Sequence, residues 1–204
     1  ILKHFGGHTS AEIRLPDAIN RKLLSPSQYF GITDAVDLRD VRWRRGGYDL
    51  GELDRKLTGN DIRAQLIIDQ ARERLLDPRQ ARGLGFCVSI AHANYMAEQF
   101  RRAGIPADAL SADSTPEQRR TVQDRLVRGQ INFIFIVDLY NEGVDIPEVD
   151  TVVFLRPTES LTVFLQQLGR GLRLSDGKDC LTVLDFVGQA HRNFRWDLRL
   201  GALL

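Results

Sequence analysis

The sequence predicts an α/β fold built on a mostly parallel sheet, and three observations support this prediction. From about residue 85 onward, short β-rich runs alternate with amphipathic segments of helical length, which is the pattern of βαβ units. The run "INFIFIV", residues 131–137, is apolar nearly throughout, as expected of a central strand with helices on both faces. A chain of 204 residues with 43% hydrophobic content can form one substantial core without a metal or a disulfide.

Seven strands are predicted. Five lie in the second part of the chain, at Gly85–Ser89, Ala109–Ser111, Ile131–Val137, Thr151–Leu155 and Leu181–Phe186. The other two lie in the passage "AEIRLPDAINRKLLSPSQYFGITD", which predicts a strand, a short helix and then a second strand around Gln28–Thr33. Pro16 and Pro26 mark the breaks between them.

Four helices are predicted from the spacing of apolar residues. They are Asn60–Leu76, Asn94–Ala103, the segment "STPEQRRTVQDRLVRG" and Glu159–Arg170. The third has the clearest end signals. Ser114 or Thr115 can cap it, Pro116 suits its first turn, Glu117 can complete a capping box with Ser114, and Gly129 ends it.

The segment "AVDLRDVRWRRGGYDLGELD", residues 35–54, is polar and predicts an exposed connector. Arg42, Arg44 and Arg45 surround Trp43 there, and a basic cluster with an aromatic ring can stack on a base. The alternative is a solvated loop whose Trp packs on the core.

The overall charge excludes a chain that binds nucleic acid through a global basic field. The 28 basic and 27 acidic residues leave a net charge of +1, so nucleic-acid contacts must come from local patches.

Cys87 and Cys180 lie in apolar runs without a CxxC or Cys/His spacing, which argues against zinc and against a disulfide framework. No run of about 20 apolar residues and no leader is present, which predicts a cytoplasmic protein and no membrane contact. Because the chain begins at Ile1, we expect it to be a piece of a longer protein.

The stretch "FLQQLGRGLRLSDG", residues 164–177, places two arginines one helical turn apart beside glycines. Arg170 and Arg173 can then point the same way, while Gly169 and Gly171 allow another backbone or a ligand to come close. Two convergent guanidinium groups match a polyphosphate. The alternative is a pair of surface arginines at the end of a helix.

A second candidate site is "FIVDLYNEGVDIPEVDTVVFLRPTES", residues 135–160, where a strand runs into a carboxylate-rich loop. Ligands of open parallel sheets bind beyond the carboxyl ends of strands. Asp145 could accept a hydrogen bond from a ribose hydroxyl, and Asn141 and Gly143 could meet phosphates. The alternative is an Asx-rich turn. A metal held by Asp138, Glu142 and Asp145 is conceivable, but these residues lack a defined ligand spacing.

These segments, together with "GFCVSIAHANYMAEQF" and "LSADSTPEQRR", resemble in order and spacing motifs IV, V and VI of the second RecA-like domain of superfamily-two helicases. Within that superfamily they are similar to the branch of type III restriction enzyme Res subunits and related DEAD/DEAH-box proteins. The resemblance covers residues 85–187, and residues 9–35 resemble the passage between the two RecA-like domains.

The resemblance implies a RecA-like, P-loop NTPase-type, three-layer fold. It also implies three parts: a connecting region (1–84) that belongs partly to the same domain, the helicase C-terminal core (85–187), and a tail helix or truncated extension (188–204).

The same resemblance implies roles for individual residues. The motif that faces the γ-phosphate of ATP is matched by Gln166, Arg170 and Arg173. The positions that touch the nucleotide are matched by Gly143, Asp145 and Gly169. The nucleic-acid backbone contacts are matched by Ser89, Ser111, Asn141 and Arg156. Val137 stands before Asp138 where many members have Thr, so a hydroxyl contact to phosphate is not expected there. His92 opens a helix without a Ser or Cys partner pattern, so we expect it to be structural.

A P-loop and an Asp-Glu dipeptide are both missing from the sequence, and Gly177-Lys178 is followed by Asp179. We therefore expect half of an ATP site, with ATP and Mg²⁺ shared with a first RecA-like domain of the same chain, and negligible hydrolysis by this chain alone. The parent protein would be an ATP-dependent helicase or translocase acting on DNA, with RNA left open. The alternatives are a non-motor nucleic-acid-binding or protein-interaction module, and a Rossmann-like enzyme, which the lack of G-x-G-x-x-G disfavours.

Overall fold

The computed structural model of the protein describes residues 14–44, 46–137, 146–201 and 203. Its strands are β1 (Ser27–Asp37), β2 (Trp43–Arg44), β3 (Gly47–Tyr48), β4 (Gly83–Cys87), β5 (Ala107–Leu110), β6 (Phe133–Val137), β7 (Thr151–Phe154) and β8 (Leu181–Gln189). Its helices are α1 (Leu15–Asn20), α2 (Leu50–Leu57), α3 (Asp61–Arg74), α4 (Ile90–Arg102), α5 (Pro116–Val127), α6 (Leu161–Gly171) and α7 (Trp196–Gly201).

Six strands form one sheet in the order β1-β8-β7-β4-β6-β5. Each pairing of neighbours in it is parallel, whereas β2 and β3 form a separate antiparallel hairpin. The predicted α/β fold with a mostly parallel sheet is therefore confirmed. All six strands end at the same edge of the sheet, which we call the carboxyl edge. The opposite edge is the amino edge.

Strand β6 shows how the three layers arise. Phe133 and Phe135 pack into the core cluster that contains the apolar faces of α3 and α4. Ile134 and Ile136 pack into the cluster that contains Leu126 of α5 and the apolar face of α6. Because side chains alternate along a strand, an apolar run such as this one is buried on both faces of the sheet.

Two glycines of β4 make room for aromatic rings of β6. A Cβ added to Gly83 would lie 2.3 Å from the ring of Phe133, and one added to Gly85 would lie 2.4 Å from the ring of Phe135. Phe100 of α4 then meets both rings edge-on at 4.9 Å. A larger residue at either position would force this aromatic layer apart.

Two predicted boundaries were wrong because side-chain caps decide them. Strand β4 ends at Cys87, and α4 begins at Ile90 rather than at residue 94, since the Ser89 hydroxyl accepts a hydrogen bond from the His92 N–H at 2.9 Å. Ser89 is thus a helix cap and not a strand residue.

The predicted capping box of α5 was also wrong. Thr115 and Gln118 form the reciprocal pair, with distances of 2.8 and 3.2 Å. Ser114 instead accepts a hydrogen bond from the Ser111 N–H at 3.0 Å. The real box is therefore shifted by one residue from the predicted pair of Ser114 and Glu117.

Residues 35–54 were predicted as an exposed connector, and this was wrong. They form the end of β1, the β2–β3 hairpin and the start of α2. Their apolar residues build a third core cluster with Val88 and Phe194. The buried members from this segment are Leu38, Val41, Tyr48 and Leu53. Trp43 packs against that cluster, as the alternative interpretation proposed. Within the described ranges, no helix combines the length and apolarity needed to cross a bilayer.

Candidate functional site

Three of the residues matched to nucleic-acid contacts lie along the carboxyl edge of the sheet. Ser89 follows β4, Ser111 follows β5 and Arg156 follows β7, and these strands are close neighbours in the sheet. Parallel strands bring their carboxyl ends together, so the fold collects residues that are up to 67 positions apart in sequence. The fourth, Asn141, lies outside the described residues.

The two serines use their side chains to hold local structure. The Ser89 hydroxyl donates to an Asp54 carboxylate oxygen at 2.5 Å, while it also caps α4. The Ser111 hydroxyl accepts from the Asp113 N–H at 3.2 Å. Both serines are partly exposed, so they present a preorganised edge to solvent.

Arg156 reaches the same edge from within the protein. It is only 6% exposed. Its positive charge acts on the buried thiol of Cys87, although burial dominates and raises the pKa of that thiol. The structure therefore places Arg156 beneath the edge, with little of its side chain in contact with solvent.

A buried ion pair supports this edge, and the sequence held no signal for it. Arg63 and Asp34 are each 3% exposed and meet at 2.5 Å between Nε and Oδ2. The Nη2 group of Arg63 also donates to the Leu155 carbonyl at 2.8 Å. Since Leu155 precedes Arg156, the pair fixes the end of β7 from which Arg156 extends. The two residues are 29 positions apart, and no local pattern links them.

His92 lies beside this pair and is fully buried. Its Nδ1 accepts from the Val88 N–H at 3.4 Å, and its Nε2 has no hydrogen-bond partner among the described residues. Burial, followed by the charge of Arg63, lowers the pKa of His92 to about 3. A neutral histidine that closes the turn between β4 and α4 fits the structural role expected for it.

Helix α6 runs antiparallel to the strands. In its first half, Phe164 packs on Phe154 at the end of β7, with ring centroids 5.0 Å apart. At its last residue, a Cβ on Gly171 would lie 2.5 Å from Leu181 at the start of β8 and 3.0 Å from Val152 of β7. The end of α6 therefore lies at the amino edge, opposite the serines.

Three of the matched residues, Gln166, Gly169 and Arg170, lie on the solvent side of α6, and Arg173 lies two residues beyond the end of the helix. Gln166 and Arg173 are exposed, while Gly169 and Arg170 are partly exposed. A Cβ on Gly169 would meet no atom within 4 Å, in contrast to Gly171. The neighbouring Gln167 faces inward, 6% exposed, where its side-chain oxygen accepts from the Thr158 hydroxyl at 3.4 Å.

Lys178 fixes the segment after α6. In the sequence, this residue was considered only because Gly177-Lys178 does not fit a P-loop motif. Lys178 donates to the carbonyls of Arg173, at 2.8 Å, and of Gly171, and to that of Pro147 at 3.3 Å. Ser25 also donates to the Arg173 carbonyl at 2.9 Å. Burial lowers the pKa of Lys178 to about 8. The backbone of Arg173 is thus held by two side chains.

Gly143 and Asp145, which match the nucleotide-contacting motif, lie outside the described residues, as do the three carboxylates considered for a metal. Among the residues that the structure does describe, no group of three or more His, Cys, Asp or Glu side chains could hold a metal ion.

Comparison with known proteins identifies the family. Residues 67–175, more than half of the chain, match the family model described as the helicase conserved C-terminal domain. The chain belongs to this family. The resemblance to the second RecA-like domain of superfamily-two helicases is therefore confirmed.

Relatives agree with this assignment. The helicase domain is 26% identical over 172 residues to the putative ATP-dependent helicase IRC3 of Saccharomyces cerevisiae, which covers 84% of this chain and 25% of that protein. The structure of a putative HsdR subunit fragment of a type I restriction enzyme from Vibrio vulnificus YJ016 is 22% identical, with a TM-score of 0.69, over 95% of this chain and 38% of that one.

The type ISP restriction-modification enzyme LlaBIII, solved bound to DNA, also has a TM-score of 0.69 at 18% identity, over 98% of this chain and 15% of that one. Both structural likenesses show the RecA-like fold. The helicase domain described here spans a quarter of the length of the yeast relative.

Proposed function

We propose that this chain is the second motor domain of an ATP-dependent helicase or translocase, which completes the ATP site of a first RecA-like domain. One observation supports this most directly: the solvent side of α6 is open at Gly169, between Gln166 and the two arginines. A glycine inside a helix costs about 1 kcal/mol relative to alanine. A Cβ at Gly169 would meet no atom of the described chain within 4 Å, and in the proposed complex the first domain approaches closely at this position.

The chemistry of the arginines suits a nucleoside triphosphate. Arg170 lies in the last turn of α6 and Arg173 two residues beyond its end, and planar guanidinium groups bind phosphate oxygens in pairs. In the proposed complex they neutralise the charge that develops during phosphoryl transfer, with Gln166 beside them and Gly143 and Asp145 contacting the nucleotide. Mg²⁺ would accompany the ATP, shared with the first domain, and would neutralise charge on the phosphates.

The nucleic acid would lie along the carboxyl edge, where Ser89, Ser111, Asn141 and Arg156 are the proposed contacts. We favour DNA because LlaBIII, one of the structural neighbours, was solved bound to DNA. Among the described residues, the end of α6 and the two serines Ser89 and Ser111 lie at opposite edges of one sheet. A rotation of this domain on the nucleotide would therefore move the nucleic-acid edge, which is what a motor requires.

The test is ATP hydrolysis by the full-length parent protein, with and without single- and double-stranded DNA. Arg170→Ala and Arg173→Ala should each lower turnover about 10³–10⁵-fold while ATP binding persists. Arg128→Ala, which removes an exposed arginine at the end of α5, is the matched control and should hydrolyse ATP normally.

The outcomes separate the alternatives. The proposed role of α6 is excluded if Arg170→Ala and Arg173→Ala both hydrolyse ATP at the normal rate. It is also excluded if this chain alone hydrolyses ATP robustly. A parent that binds nucleic acid but never hydrolyses ATP would instead be a binding module that keeps the fold.

A further inference from the structure

The β2–β3 hairpin and the segment that follows β8 form a surface that we call the aromatic platform, made of Trp43, His191, Arg44 and Arg192. The Trp43 and His191 rings are stacked, with centroids 5.1 Å apart and planes 15° apart. Tyr48 supports them edge-on at 5.0 Å from Trp43. Trp43 and His191 are partly exposed. The platform is therefore a rigid, preformed aromatic pair at the surface.

The platform is anchored to the framework by two hydrogen bonds. The Tyr48 N–H donates to Glu159 Oε1 at 3.0 Å, and the Tyr48 hydroxyl accepts from the His191 N–H at 2.7 Å. The hairpin follows β1, and His191 follows β8, two strands that end side by side. The platform thus lies at the carboxyl edge. Glu159 is three residues from Arg156, a span of about 11 Å at most.

The charges around the platform favour an anion at two positions. Arg39 is paired with Asp37 at 2.6 Å, and Arg42 is paired with Glu52. Arg44 and Arg192 are exposed, and neither takes part in an ion pair within the described part of the chain. A groove of about 430 Å³ lies beside His191, lined by Arg39, Ala190, His191 and Arg192.

We propose that the aromatic platform binds a single-stranded segment of nucleic acid, with an unpaired base stacked on the Trp43–His191 pair and phosphates bound by Arg44 and Arg192. Aromatic faces bind bases of any sequence, and neighbouring arginines follow the backbone. This inference rests on the proposed function, because it extends the nucleic-acid path beyond Arg156 onto an element outside the helicase motifs. A base-paired segment keeps its bases stacked on one another, so the platform selects unpaired strands.

The test is binding of fluorescein-labelled dT and rU oligonucleotides of about 15 nucleotides, and of a duplex of the same length, to this 204-residue chain. Trp43→Leu keeps an apolar side chain against Tyr48 but removes the stacking face. It should weaken binding of single strands about 5–150-fold, as expected for the loss of one stacked base. Trp196→Leu, which alters the neighbouring contact with Phe194, is the matched control and should bind as the wild type does.

Two further measurements separate stacking from structural damage. Arg44→Ala and Arg192→Ala should each reduce the slope of log affinity against log salt by about 0.7, the value for one phosphate of a single strand. In a Trp196→Phe background, Trp43 is the remaining tryptophan, and oligonucleotide binding should quench its fluorescence. This second measurement decides the matter if Trp43→Leu lowers the thermal midpoint.

The possible outcomes have distinct meanings. The proposal for the aromatic platform is wrong if wild type and Trp43→Leu bind single strands equally and Trp43 fluorescence is not quenched. The proposed motor function would remain intact in that case. Tighter binding of duplex than of single strands would overturn the platform as well. If the wild-type chain binds no oligonucleotide at about 50 mM salt, both the platform and the proposed nucleic-acid edge fail. A difference between dT and rU at the platform identifies which nucleic acid it takes.

Discussion

Replacing Asp34 by Asn should destabilise this domain more than almost any other change of similar size. The Asp34–Arg63 pair is 3% exposed on each side, so the neutral side chain would leave the Arg63 guanidinium buried and unpaired. Breaking a buried pair from one side costs about 3–5 kcal/mol. Since a typical domain is stable by about 5–15 kcal/mol, a large part of the free energy of unfolding would be lost.

A double-mutant cycle shows whether charge is the cause. Asp34→Leu with Arg63→Met removes both charges together. The double variant still leaves two backbone groups without their partners. These are the Leu155 carbonyl, which accepts from Arg63, and the Val36 N–H, which donates to Asp34 at 3.0 Å. Each unsatisfied group should cost about 1–3 kcal/mol of stability. The double variant should therefore lose less stability than the sum of the two single variants, by about 4 kcal/mol at the middle of these ranges.

The assay is urea unfolding followed by circular dichroism, at constant m-value. Asp37→Asn is the matched control, because it breaks the exposed pair with Arg39 and should leave the midpoint near that of the wild type. The prediction is wrong if the unfolding midpoint of Asp34→Asn lies as close to that of the wild type as the midpoint of Asp37→Asn does. It is also wrong if the stability losses of the two single variants in the cycle simply add.

Two other predictions concern α6 and the buried histidine. Gly171→Ala should cost about 1–3 kcal/mol, because its Cβ would meet Leu181 at 2.5 Å, whereas Gly169→Ala, in open space, should raise the stability of this chain by up to ~1 kcal/mol and lower ATP turnover in the parent. Thermal unfolding measures the stability of both variants, and equal destabilisation by the two substitutions would contradict the assigned orientation of α6. Burial lowers the pKa of His92 to about 3 in the folded chain, from its ordinary value of 6.5, so the unfolded chain binds the extra proton between these values. Stability should thus fall as the pH drops from 6.5 to 3, by about 1.4 kcal/mol per pH unit from this group at most. His92→Asn should show a smaller slope, and identical slopes in pH-dependent urea unfolding would disprove this role.

Much of the fold was predictable because it depends on local patterns. The apolar run of β6 and the helical spacing of α5 and α6 appear within windows of 5 to 16 residues, and the structure places strands and helices there. End positions were less predictable. Thr115 and Ser114 are both good capping residues, and only the three-dimensional hydrogen bonds decide between them.

The candidate site was predictable in part. Gly169 and Arg170 lie on α6 and Arg173 lies two residues beyond its end, so a short stretch of sequence already places them close together. The support beneath the carboxyl edge was not predictable, because Asp34, Arg63 and His92 come from three separate elements. Residues 35–54 were misjudged for a related reason. Their apolar residues are spaced irregularly and acquire a core only when Val88 and Phe194 pack against them.

By itself, the sequence determined the strands and helices with a clear local pattern, such as β6, α5 and α6, the parallel α/β class and the residue types of the proposed nucleotide motif, since each depends on neighbours a few positions apart. The tertiary structure alone decided that α6 runs antiparallel to the strands, and so separates the arginines from Ser89 and Ser111 by the height of the sheet. It alone also brought Trp43 onto His191, across 148 positions. The physical reason is that burial and ion pairing act between surfaces that meet only after the chain has folded, and no local pattern in the sequence records which surfaces those will be.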